Sequence, residues 1–167
     1  DVNIATTNAG VSIADDIDIA IAETNDWYCV LMTSTNVGDI LSMAKKIESL
    51  PKIGVFTSTQ AGIYDANSTD DIAYELSVRK FNRTASIYFL SAALGLDSGI
   101  TGQQLAYDPG KSIWCGKEVA GIPFSAELDR NRIDIIKSKN CNCYPKIGSG
   151  GSFYYGVMAS GISMELI

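Results

Sequence analysis

Residues 27–58 read WYCVLMTSTNVGDILSMAKKIESLPKIGVFTS, and the fold class follows from them. Trp27 to Met32 is a short apolar run of the kind a buried strand needs. Asn36 and Asp39 then open a helix with Ile40, Met43, Ala44 and Ile47 on one face, and Pro51 marks its end. Ile53 to Thr57 reads as a second strand. Two apolar strands joined by a helical crossover form a parallel unit, because a parallel pair needs a connection long enough to return to the starting edge.

The pattern continues downstream. Thr69 or Asp70 caps a helix carrying Ile72, Ala73 and Leu76, followed by a strand from Ala85 to Phe89. Ser91 to Ala106 reads as helical with a break at Gly95, and Ser112 to Gly116 as a fourth strand. Ser125 then caps a helix through Leu128, Arg132, Ile135 and Ile136. Strand starts at Trp27, Ile53, Ala85 and Ser112 are 26, 32 and 27 residues apart, which leaves room for a helix each time. Upstream, Ser12 with Asp15 resembles a capping box for a helix from Val11 to Thr24, although Ile17-Asp18-Ile19-Ala20-Ile21 also alternates as a strand would. At the carboxyl end, Asn142 to Ile147, the Gly148–Ser152 loop and Phe153 to Ala159 read as strand, loop, strand. Its apolar Tyr154-Tyr155 and Val157-Met158 require a partner, either this sheet or another subunit. The expectation is one α/β domain over residues 1–167. It has a helical lead-in at 1–26, a largely parallel or mixed sheet flanked by helices, and a C-terminal β-ribbon within 140–167.

The chain has 167 residues, of which 46% are hydrophobic and 19% charged, a globular composition. It contains no histidine, which removes Ser-His-Asp and Cys-His catalysis, His-ligated metals and imidazole switching. Thirteen basic against 19 acidic residues give −6 and a pI near 4.5, which disfavours a nucleic-acid partner. No apolar run is long enough for a membrane span. The charge is uneven. Residues 1–44 hold seven acidic and no basic side chains, whereas Asp129 to Lys146 holds five basic against two acidic. Asp15, Asp16 and Asp18 on one side and Arg130, Arg132, Lys137 and Lys139 on the other are therefore the candidate assembly surface, able to pair head to tail between copies.

Other motifs carry less. Cys29 and Cys115 sit in apolar runs, and Cys141-Asn142-Cys143 is too short for structural zinc spacing, so these thiols fit a reducing compartment without a metal or disulfide role. Asp108-Pro109-Gly110-Lys111-Ser112 lacks the first glycine of a phosphate loop, having Leu105 there, and precedes a strand rather than a helix. Gly148-Ser149-Gly150-Gly151-Ser152 has no strand–helix context for a dinucleotide site. Asp15, Asp16 and Asp18 lack the glycine and terminal Glu of a calcium loop and suit a helix start. Thr33-Ser34-Thr35-Asn36-Val37-Gly38 and Thr57-Ser58-Thr59-Gln60-Ala61-Gly62 each follow a strand. They are turn and cap residues or, as the alternative function, the loops of a small-ligand or nucleotide-binding α/β protein.

Four stretches in order resemble contractile phage tail sheath proteins, in a sheath-like branch of that family. Arg83-Thr84 with Tyr88 resembles the family's Arg-Thr-x-x-x-Tyr strand start, and Lys111 to Ile122 its segment combining Trp, Lys and a Gly-Val pair. Asn140-x-Asn142-x-Tyr144 resembles its Asn-x-Asn-x-Tyr stretch, and Met158 to Ser163 its small-Gly-apolar close. The resemblance spans roughly residues 24–165, with Glu165 where the family pattern has Asp. It implies a structural virion protein, a subunit of the sheath that surrounds the tail tube and contracts during injection. It implies no enzyme activity, no cofactor and no catalytic or metal residues. The partners it implies are copies of the protein and the tail tube protein, with the virion tail as location and the host cytoplasm during assembly. Because residue 1 is Asp, the chain reads as a piece of a longer protein that lacks its linking arms and is monomeric by itself.

Overall fold

The structure is a computed structural model that describes residues 12–108 and 110–166. The α/β architecture is present. Helix α1 (Asp15–Glu23) leads into β1 (Cys29–Leu31), α2 (Val37–Glu48), β2 (Ile53–Ser58), α3 (Ile72–Arg79) and β3 (Thr84–Tyr88). Helices α4 (Leu96–Gln104) and α5 (Arg130–Ser138) follow, then β4 (Asn142–Cys143), β5 (Lys146–Ile147) and β6 (Gly150–Gly151). Strands β1 to β4 form one parallel sheet in sequence order, and β5 and β6 form a separate antiparallel pair.

Every residue of β2 and β3 is buried, as expected of strands covered on both faces. Alternation divides their side chains between two cores. Phe56 and Tyr88 face Ile40, Met43 and Ile47 of α2, Ile72 and Leu76 of α3 and Ile136 of α5. Ile53, Val55, Ala85 and Ile87 face Leu96 and Ile100 of α4, with Trp114, Phe153 and Met158. Each fully buried Ile or Leu here contributes about 1.5–3 kcal/mol.

Local signals fixed the first half. The Asn36 side chain accepts from the N–H groups of Gly38 and Asp39, and Lys45 and Lys46 lie in the last turn of α2 where the helix dipole favours them. Residues 15–23 are helical rather than extended, and Ser12 bonds Asp15 through both its N–H and its hydroxyl. The break at Gly95 is real: its φ of 66° separates a 3₁₀ turn at Ala92–Leu94 from α4.

Four boundaries differ from expectation. Asp71, rather than Thr69 or Asp70, caps α3. Asp129 caps α5, because Ser125 is instead extended and bridged to Pro145. Ser112 to Gly116 is not a strand. Its apolar signal comes from Trp114, which fills the second core, while Ile113 is 58% exposed. The fourth strand is β4. The ribbon at the carboxyl end exists as the short β5–β6 pair, and Phe153 to Ala159 runs beside the sheet with only isolated bridges, Tyr154 to Cys143 among them.

Candidate assembly surface

The acidic candidates share α1. Its inner side is held by Ile17, which is buried, and its outer stripe exposes Asp15, Asp18, Ile19, Ala22 and Glu23. Asp16 is half-buried. Asp18 Oδ1 lies 2.5 Å from Lys46 Nζ, so one carboxylate is spent on tying α1 to α2.

The basic candidates divide. Arg130 is exposed and forms no ion pair among the described residues. Arg132 is half-buried, donates to the Glu127 carbonyl at 2.9 Å and stacks 4.7 Å above the Tyr64 ring. Lys137 is exposed, with its ammonium 5.1 Å from the Tyr155 ring centre. Lys139 is a correction: it is 6% exposed and leaves the assembly surface altogether. Its ammonium donates to the carbonyls of Gly62 (2.8 Å), Asp65 (2.9 Å) and Ser68 (3.2 Å) and to Asp71 Oδ2 (2.6 Å). Asp71 also caps α3 through Tyr74 N–H and accepts from Ser68 Oγ, so this buried pair is fully engaged.

The loops at 33–38 and 57–62 are engaged internally as well, apart from the Thr57 hydroxyl, which is buried without a hydrogen-bond partner. Ser34 Oγ donates to Asp39, Asn36 caps α2, Gln60 Oε1 accepts from Ile72 N–H, and the Gly62 carbonyl holds Lys139. Because the strand order runs from β1 to β4 without reversal, the sheet lacks the crevice where doubly wound folds bind ligands.

The four stretches named above meet in space. Ala159 N–H donates to the Thr84 carbonyl and Ser160 N–H to that of Phe81. Asn142 is wholly buried; its amide donates to the carbonyls of Ser86 and Val157 and accepts from Val157 N–H. Asn140 donates to the Ala159 carbonyl, Tyr144 Oη accepts from Val119 N–H, and Gly116 N–H donates to the Phe153 carbonyl. Sequence reasoning missed two further anchors. Glu48 accepts from the N–H groups of Asn82 and Arg83 at the start of β3, and buried Lys52 donates to the carbonyls of Asn25 and Trp27. Neither has a local sequence signal, since the partners are 25 or more positions away.

Several buried thiols and one phenol are held in their neutral forms. Burial raises the thiols of Cys29 and Cys141 to about 12, with Asp97 adding to the effect at Cys29. Cys143 and the Tyr88 hydroxyl are also raised, chiefly by burial, and Tyr88 further by Glu127. No group of three His, Cys, Asp or Glu among the described residues is placed to hold a metal, and no helix among them is long and apolar enough to cross a membrane. No family model matches the chain, and neither a curated protein nor a solved structure matches it.

Proposed function

We propose that this chain is the rigid body of a sheath-type structural subunit, which stacks with copies of itself around a tail tube and changes its contacts during contraction. The observation that carries this reading is the convergence of the four sheath-like stretches on one interlocked unit, built from β3, β4 and the segment from Phe153 to Gly161. Side-chain and backbone bonds tie these segments to one another, as a body that transmits force without deforming requires. An assembly of this kind works by holding surface contacts in one of two arrangements of different free energy, so the subunit itself has to resist deformation. Its other partner is the tail tube protein, and it uses no cofactor.

The unequal charge supplies attraction between copies, with α1 on one side and Arg130, Arg132 and Lys137 on the other. Arg130→Glu with Lys137→Glu in the full-length protein tests this, because both side chains are exposed and neither forms an ion pair among the described residues. The expected result is a several-fold drop in sedimentable polymer at low ionic strength. Undiminished polymer overturns the electrostatic contact.

A further inference from the structure

The groove between α5 and the β5–β6 pair has an apolar floor of Ile133, Pro145 and Tyr154, an open volume of about 380 Å³, and Arg130, Lys146 and Asp134 at its rim. Arg130 and Lys146 form no ion pair among the described residues, and Lys146 lies 5.4 Å from the centre of the Phe124 ring. The outer stripe of α1 has the converse character: Asp15, Asp18 and Glu23 surround Ile19, which is 52% exposed. An isoleucine flanked by Asp15 and Glu23, which form no ion pair among the described residues, complements in sign an apolar floor rimmed mainly by cations, Asp18 being held by Lys46.

We infer that the groove beside β4 receives helix α1 of a second copy, with Ile19 seated on the floor and the α1 carboxylates facing Arg130 and Lys146. This rests on the sheath reading above and gives its charge contact a definite location. Helix α1 precedes β1, at one end of the strand order, and is tied to α2, whereas the groove flanks β4 at the other end. The two patches are therefore different surfaces of one molecule, and a contact between them is heterologous. Such a contact does not close as a two-fold dimer; it propagates into a ring or a helix. A groove of this size makes a weak single contact, and its strength in a polymer comes from repetition.

The test uses full-length protein with the exposed thiol removed by Cys115→Ser. Copies carrying Ile19→Cys are mixed with copies carrying Ile147→Cys, whose side chain stands 49% exposed on β5 at the groove. A short bis-maleimide is added, dimers are counted by mass spectrometry, and the same samples are imaged by electron microscopy. The expected result is several-fold more dimer in the mixture than in either variant alone, declining as salt is raised. Tubes without that excess overturn the docking and leave the sheath reading standing. The excess without tubes supports the docking and overturns the sheath reading. Neither tubes nor excess overturns both.

Discussion

Lys139 separates the charge of a sequence from the charge of a surface. It sits in a basic stretch, yet its ammonium is enclosed by carbonyls and a carboxylate 68 to 77 positions earlier in the chain. No local pattern announces partners that distant, whereas Asp15, Asp18 and Arg130 were legible because helical charge without an apolar neighbour at the right spacing stays outside. Lys139→Met leaves Asp71 buried and unpaired. It is expected to cost about 3–5 kcal/mol in urea unfolding. Adding Asp71→Asn, which keeps a capping side chain on α3, is expected to recover most of that loss. An unchanged midpoint for Lys139→Met contradicts the buried pairing. Asp97 gives a second prediction at this scale. Burial raises its carboxyl above the ordinary 3.8, against a bond from Ser98 N–H that opposes the shift. With the folded pKa above the unfolded one, ionised Asp97 costs stability at neutral pH. Stability therefore rises as pH falls through the raised value and levels off below about 3.8. Asp97→Asn retains the oxygen that accepts from Ser98 and is expected to raise the melting temperature at pH 7 while flattening that part of the pH profile.

Among the elements, β1, α2, β2, α3 and β3 were readable because their periodicity is local, although the cap of α3 is Asp71 rather than Thr69 or Asp70. Strand β4 lies within the Asn142–Ile147 stretch that reads as extended, but its place as the fourth strand of the parallel sheet was not legible, because it is two residues long and begins with an asparagine. What makes Asn142 a buried sheet residue is the set of three bonds from its side chain to Ser86 and Val157, which fastens β4, β3 and the carboxyl segment together. Trp114 misled in the opposite sense, since a large apolar side chain fills a core from a loop as well as from a strand. Asn142→Ala strands the Val157 N–H and two carbonyls at about 1–3 kcal/mol each before relaxation. The expected outcome is faster amide hydrogen exchange at Val157 and Ala159 than at Val55 in the centre of β2. Equal protection of all three contradicts the role given to Asn142.

For the whole molecule, an unreversed parallel sheet is covered on one face by helices and on the other by α4 and the carboxyl segment. Ser34, Gln60 and Lys139 are engaged in internal bonds, and charge is divided between distinct outer surfaces. The central claim is that this body works by meeting copies of itself. Electron microscopy of the full-length protein, expressed without other components and held at low ionic strength, tests it most directly. The account predicts hollow, regularly striated tubes or stacked rings. Compact single particles at every concentration and salt contradict it.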